Sequence, residues 1–115
     1  MRTIIAGSRD ITDEKVLFRA LLKIPWDITV VLCGMAKGAD ALGFNYGASM
    51  EGVALEKYPA KWEKYGRSAG YKRNIEIAEN ADALVALWDG KSKGTKHMID
   101  IAISNGLIVY VHKEE

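Results

Sequence analysis

Residues 88–95, with the sequence WDGKSKGT, combine two glycines, two small hydroxyls and two lysines between an apolar run and a helical pattern. Glycines let the backbone approach a ligand closely, and the first N–H groups of a helix favour an anion. The Gly-Lys-Ser in this segment is not a nucleotide-triphosphate loop, because that motif needs a glycine where Val85 stands. The segment predicts an anion-binding loop of another kind. Its candidate ligand-binding residues are Asp89, Gly90, Ser92, Gly94 and Thr95.

A second candidate loop is GSRD, which follows the first apolar run. Gly7, Ser8 and Arg9 can bring backbone N–H groups, a hydroxyl and a guanidinium onto a phosphate. The alternative is a turn that begins a helix, with Asp10 or Thr12 as its N-cap. Both interpretations are open on this loop alone.

A third candidate loop, CGMAKGAD, begins at Cys33. Gly34 and Gly38 bracket a tight turn into a helix whose N-terminus would point at a ligand, and Lys37 is a further candidate contact. Asp40 falls in the first helical turn, where the helix dipole alone favours a carboxylate. Its functional alternative is to accept a hydrogen bond from a ribose or a base. The Gly-x-Gly-x-x-Gly dinucleotide motif occurs nowhere in the chain.

The stretch from residue 56 to residue 73 carries six basic residues against two acidic ones, in a chain whose net charge is +1. Aromatic residues are interleaved with the basic ones and offer flat faces to a base. The structural alternative is a solvated loop whose rings pack against the sheet edge. The candidate ligand-binding residues of this stretch and its continuation are Trp62, Arg67, Arg73 and Asn74.

At 115 residues the chain predicts one domain, residues 1–115, that can bury a core without disulfides. The net charge of +1 argues against a nucleic-acid partner. No apolar run is long enough to span a bilayer or to act as a signal peptide. We therefore expect a cytoplasmic protein without a membrane partner.

The cysteine and histidine content argues against a metal site. The single cysteine, Cys33, excludes an internal disulfide and a multi-cysteine zinc site, and its place in an apolar run favours a buried, inert thiol. His97 and His112 are separated and come without a carboxylate pattern. We expect no metal and no cofactor.

The loops that carry the candidate binding residues are expected to connect alternating strands and helices. Continuous apolar runs, typical of strands buried on both faces, occupy residues 3–7, 28–34, 53–59, 82–88 and 107–112. Helical patterns occupy residues 12–25, 38–52, 69–80 and 94–106. In the second helix, Gly43 and Gly47 share one face and would let it lie close to the sheet. The order predicts an α/β fold, a single Rossmann-like doubly wound domain with a five-stranded parallel sheet and helices on both faces.

Such sheets bind ligands beyond the carboxyl ends of their strands. In the commonest doubly wound order, strands one and four are neighbours there. GSR and WDGKSKGT would then face each other across one crevice, with Arg73 close by.

With these loops in view, the chain resembles the SLOG superfamily, the Rossmann-like domains named for Smf/DprA and the LOG proteins, and in particular the small YspA-type, YpsA-related branch. The motifs that carry the resemblance are GSRDITD, CGMAKGADALG, PAKWEKYGRSAGYKRN and WDGKSKGT. The resemblance implies a pocket for a nucleotide or a nucleotide-derived molecule, with the fourth motif cradling the phosphate. Related proteins also suggest a homodimer.

The resemblance leaves three functions open. LOG members are phosphoribohydrolases, but Met98 stands where their glutamate is expected, and a thioether cannot exchange protons. We therefore expect a sensor or binding module. The alternative is a nucleotide N-glycosidase or phosphoribohydrolase-like enzyme with Asp40 or Asp89 as its acid–base group. A further alternative, by analogy with DprA, is single-stranded nucleic-acid binding through the basic stretch.

Overall fold

Strands and helices alternate along the chain in the computed structural model, which describes residues 1–113. The strands are β1 (Arg2–Gly7), β2 (Val30–Cys33), β3 (Ala54–Lys57), β4 (Ala83–Trp88) and β5 (Ile108–Lys113). The helices are α1 (Glu14–Leu21), α2 (Ala39–Ser49), α3 (Trp62–Tyr65), α4 (Ala69–Glu79) and α5 (Lys93–Ser104), with a 3-10 turn at Gly66–Ser68. Each strand overlaps one of the predicted apolar runs.

The strands form one parallel sheet in the order β3-β2-β1-β4-β5. β1 and β4 are central neighbours, and Gly7 pairs with Leu87 at their carboxyl ends. The chain runs outward from β1 to β3 and then crosses back to β4, so the strand order reverses between β1 and β4. Sheets of this kind bind ligands at that switch point. The predicted α/β fold and the adjacency of strands one and four are confirmed.

The core lies on both faces of the sheet, because successive strand residues point to opposite sides. Ile5 and Val85 join α1 and α2 on one face, whereas Ile4 and Leu84 join α4 and α5 on the other. All four side chains are fully buried. Among residues 1–113, no helix has the length and apolar character needed to cross a bilayer. The packed sheet is therefore the base that carries the loops at its carboxyl edge.

Two glycines set the close approach of α2 to the sheet. A Cβ atom at Gly43 would lie 2.7 Å from the Cβ of Ile5, and one at Gly47 would lie 3.1 Å from the Cβ of Val31. Real Cβ atoms do not tolerate the first of these distances. The predicted reason for these glycines is confirmed, because they let α2 pack closely against β1 and β2.

Several helix boundaries differ from the sequence prediction. The carboxylate of Asp13 accepts a hydrogen bond from the Lys15 N–H at 3.0 Å, so Asp13 is the N-cap of α1 rather than Asp10 or Thr12. α1 ends at Leu21, one turn short of the predicted boundary. The segment predicted as a loop after β3 contains α3 and the 3-10 turn, elements too short to produce a periodic pattern.

Candidate functional site

A cavity of about 630 Å³ opens at the carboxyl ends of β1, β2 and β4, within the size range of small-molecule sites. Its walls bring together most of the sequence-predicted binding residues. Those that line it are Gly7, Arg9, Gly34, Asp40, Trp62, Arg67, Arg73, Asn74, Asp89, Ser92, Gly94 and Thr95. Further lining residues that sequence reasoning did not select are Ile4, Ala6, Asp10, Ala36, Gly70, Tyr71, Ile77, Lys91 and Met98.

Four predicted binding residues lie outside the cavity wall: Ser8, Lys37, Gly38 and Gly90. Ser8 is buried and holds the loops together, since its carbonyl accepts from the Ala39 N–H at 3.2 Å and its hydroxyl accepts from the Asp89 N–H at 3.0 Å. Gly38 has a φ of 72° and precedes α2. Ser8 and Gly38 therefore hold the loops that line the cavity in position without lining it themselves.

Asp89 organises the loop that follows β4. Its Oδ1 atom accepts hydrogen bonds of 2.8 Å from the N–H groups of both Lys91 and Ser92. These N–H groups lower the pKa of the Asp89 carboxyl, the Ser92 N–H most strongly. Asp89 is therefore an ionised loop anchor near neutral pH, which disfavours it as a proton donor.

The loop after Asp89 runs directly into α5. The hydroxyl of Ser92 is the N-cap and accepts from the Thr95 N–H at 3.3 Å and from the Thr95 hydroxyl at 3.0 Å. Ser92, rather than Thr95, is therefore the residue that caps α5. Gly90, with a φ of 81°, has the left-handed backbone, whereas open space surrounds a Cβ atom built at Gly94.

Asp40 and Arg73 meet beside Gly34 at the cavity wall. Asp40 is only 4% exposed, and its Oδ2 accepts from the Ala36 N–H at 3.0 Å and lies 4.0 Å from Nη1 of Arg73. The same Nη1 atom donates to the Gly34 carbonyl. Burial raises the pKa of the Asp40 carboxyl, against the opposing effects of the Ala36 N–H, Arg73 and Arg9. This is the carboxyl of the cavity best suited to hold a proton.

Asn74 is the buried link between α4 and α5. Its Oδ1 accepts from Nε of Arg73 at 3.1 Å. Its Nδ2 donates to the Gly94 carbonyl at 3.3 Å and lies 3.2 Å from Nδ1 of His97. His97 therefore supports the site through Asn74, a contact that its isolated position in the sequence does not indicate.

The aromatic residues of the basic stretch divide between two surfaces. Trp62 and Tyr71, 51% and 45% exposed, stand at the rim of the main cavity. Tyr65 instead lines a smaller cavity of about 350 Å³ and carries the ammonium groups of Lys64 and Lys72 at 5.1 and 4.9 Å from its ring centroid. Of these three rings, only those of Trp62 and Tyr71 are therefore placed to offer a face to a ligand in the main cavity.

Cys33 at the end of β2 is fully buried, as the sequence predicted. Burial, with a smaller effect of Asp40, raises the pKa of its thiol to about 11, so the reactive thiolate is scarce at neutral pH. Within the described part of the chain, no three His, Cys, Asp or Glu side chains are grouped as a metal site requires.

Met35, next to the site, has a left-handed backbone with a φ of 65°. Because that conformation is unfavourable for a side chain with a Cβ atom, we expect Met35→Gly to raise the free energy of unfolding by about 1 kcal/mol. Urea denaturation measures the change. Met50→Gly is the matched control, because Met50 has an extended backbone and glycine should destabilise it. Equal destabilisation in both variants would contradict the assignment of strain to Met35.

Comparison with known proteins gives an independent assignment. The model of the YspA, cpYpsA-related SLOG family matches residues 1–65, which include the candidate loops GSRD and CGMAKGAD. The chain is 36% identical over 117 residues to the Gene 61 protein of Mycobacterium phage D29, in an alignment that covers 94% of this chain and 93% of that protein. No solved structure gives a significant match. The chain belongs to the YspA, cpYpsA-related SLOG family.

Proposed function

We propose that this protein binds a nucleotide or a nucleotide-derived small molecule at the carboxyl ends of its strands and acts as a sensor or binding module. SLOG membership points to a nucleotide-related ligand in general. The observation that carries the proposal is the convergence on one cavity of a helix N-terminus, several cationic side chains and two exposed aromatic rings.

The N-terminus of α5 is the proposed phosphate site. The first N–H groups of a helix have no acceptor within that helix, and its dipole favours a negative charge there. Gly94 carries no side chain that would keep a phosphate away, and Thr95 lines the same wall. Lys91 and Arg9 add positive charge to the cavity. A phosphate could thus be held by backbone N–H groups and charge-assisted contacts together.

The base is proposed to lie between the rim rings and the apolar floor of the cavity. Trp62 and Tyr71 offer exposed ring faces, and stacking on such faces tolerates different bases. The floor contains Ile4, Ile77 and Met98, which are nearly or fully buried. A flat, largely apolar group fits this combination better than a second phosphate does.

Binding without cleavage is favoured by the groups that the cavity presents. Met98, 2% exposed, puts a thioether into the wall, and Asp89 is engaged in holding its own loop. One observation supports a hydrolase as the second candidate. Asp40 is a buried carboxyl of the cavity with a raised pKa, a property of general acids.

A thermal-shift panel of nucleotides followed by mass spectrometry tests the proposal. A ligand at one hundred times its Kd adds about 2.7 kcal/mol, enough to raise Tm by several degrees. We expect a shift with at least one nucleotide, which is then recovered intact. Recovery of cleaved ligand, with cleavage lost in Asp40→Asn, would establish the hydrolase instead. No shift with any nucleotide at millimolar concentration would contradict both functions.

Trp62→Ala is expected to weaken binding of the nucleotide so identified. Loss of a base–aromatic stacking contact costs about 1–3 kcal/mol, roughly 5- to 150-fold in Kd. Isothermal titration calorimetry measures the change, and Phe18→Ala, which removes an exposed ring from α1, is the control. Equal affinities of Trp62→Ala and Phe18→Ala would remove Trp62 from the proposed site.

A homodimer and a cytoplasmic location remain predictions. Light scattering in solution measures the oligomeric state and so tests the first of them.

Single-stranded nucleic acid remains the third candidate ligand. Its sign would be an affinity that falls steeply with salt, because binding would release counterions from the phosphates.

A further inference from the structure

We propose that His97 is a positioning residue of this site: neutral His97 accepts a hydrogen bond from Asn74 and so holds Arg73 and the first turn of α5 in place, and protonation of His97 releases them. The consequence for ligand affinity rests on the proposed function. The effect on the hydrogen bonds does not, so the two can be tested separately.

The orientation of the Asn74 amide is determined by its partners. Nε of Arg73 is a donor 3.1 Å from Oδ1 of Asn74, and the Gly94 carbonyl is an acceptor 3.3 Å from Nδ2. Exchanging the amide oxygen and nitrogen would set two donors against each other and two acceptors against each other. The Nδ2 group of Asn74 must therefore face Nδ1 of His97, at 3.2 Å.

This orientation determines the protonation state of His97. An amide NH₂ group can only donate, so Nδ1 of His97 must accept and the ring proton must be on Nε2. A second proton on Nδ1 would point at the Asn74 NH₂ group and replace a hydrogen bond with a repulsive contact. Asn74 would then lose one of the three contacts that orient it.

The surroundings of His97 reinforce the neutral form. From α4, the Tyr71 ring meets the imidazole edge-on with centroids 4.5 Å apart, and from α5 the carboxylate of Asp100 acts on it. Asp100 favours the charged form but is itself paired with Lys96 at 2.8 Å. Burial outweighs it and lowers the pKa of His97 below its ordinary value.

The contribution of His97 to stability decreases at low pH, because its pKa is lower in the folded protein than in the unfolded chain. Between the folded pKa of His97 and its ordinary value of about 6.5, the unfolded chain binds more protons than the folded chain. The contribution of His97 to stability is therefore complete above that ordinary value and falls as the pH falls below it. As the pH falls and His97 is protonated, Asn74 is released, and Arg73 loses the support of Asn74.

His97→Asn tests the inference, because the Oδ1 atom of asparagine can take the place of Nδ1 as an acceptor that does not titrate. His112→Asn, at the end of β5, is the matched control. In the ligand-free protein, ¹⁵N NMR at pH 7.5 should show His97 with its proton on Nε2. At a pH low enough for the same spectra to show His97 doubly protonated, the Nε–H of Arg73 should exchange with solvent faster in the wild type than in His97→Asn, with no difference at pH 7.5.

The second readout is binding of AMP as the probe. Between pH 7.5 and the pH at which His97 is doubly protonated, we expect the Kd of the wild type and of His112→Asn to rise about 5- to 10-fold more than that of His97→Asn. Because the phosphate of AMP itself titrates near pH 6, the comparison between variants carries the result. Equal Arg73 exchange in the wild type and His97→Asn once His97 is protonated, or a Kd that changes equally with pH in all three proteins, would overturn the proposal. Absence of AMP binding in every protein would count against the proposed function, and Arg73 exchange would still decide the role of His97.

Discussion

Gly34→Ala is expected to weaken nucleotide binding about 10- to 100-fold while the chain stays folded. A Cβ atom at Gly34 would lie 2.6 Å from Cζ of Arg73 and 2.8 Å from Oδ2 of Asp40, which are closer than atoms can approach. The atoms in its way are the ends of side chains, and Gly34 has no positive φ, so the backbone can stay in place. Arg73 must then leave both the Gly34 carbonyl and Asp40.

Calorimetric titration with a ligand from the thermal-shift panel measures this loss. Gly70→Ala is the matched control, because Gly70 lines the same cavity but its Cβ atom would meet Trp62 at an ordinary 3.5 Å. We expect the affinity of Gly70→Ala to stay close to that of the wild type. Wild-type affinity in Gly34→Ala would show that the position of Arg73 does not matter for binding.

Gly7→Ala is expected to destabilise the fold itself, by about 3 kcal/mol or more. Gly7 has a φ of 155°, and a Cβ atom there would lie 2.8 Å from the carbonyl carbon of Leu87 and 2.9 Å from the Cβ of Ala39. These neighbours belong to the backbone of β4 and to the start of α2, which cannot swing away. The Ser8 N–H bond to the Leu87 carbonyl, 2.8 Å long, would be lost with the local strand pairing.

Urea denaturation compares Gly7→Ala with Gly94→Ala. Gly94 lies at the same end of the sheet, but a Cβ atom there meets nothing within 4 Å and its φ is not positive. Alanine at residue 94 should leave stability unchanged or raise it slightly, because alanine favours a helix more than glycine does. A loss about as large in Gly94→Ala as in Gly7→Ala would contradict the packing described at the β1–β4 end.

Much of the fold follows from the sequence because its signals are local. Continuous apolar runs such as residues 82–88 predict strands buried on both faces, and the alternation with helices leaves few sheet topologies. Gly43 and Gly47 even predict which face of α2 lies on the sheet. The same logic brings the segments GSR and WDGKSKGT together, since parallel strands end at one edge.

The parts of the site that the sequence does not predict depend on contacts between residues far apart in the chain. The role of Asn74 requires the approach of α4 to α5, and the role of His97 appears only once Asn74 has been oriented by Arg73 and Gly94. Ile4, an ordinary strand residue in the sequence, lines the cavity only because the fold brings it together with residues of α4 and α5. Short elements such as α3 have too few residues for a periodic signal.

The most direct test of the account is an NMR titration that starts from the ligand-free protein and maps where the nucleotide binds. Titration with the nucleotide selected by the thermal-shift panel should move the amide resonances of Gly34, Gly94 and Thr95 and the indole resonance of Trp62. The amides of Ile103 and Ile108, away from the cavity, should not move. Resonance changes confined to other surfaces, or none at saturating nucleotide, would contradict the claim that the carboxyl ends of β1 and β4 form a nucleotide site.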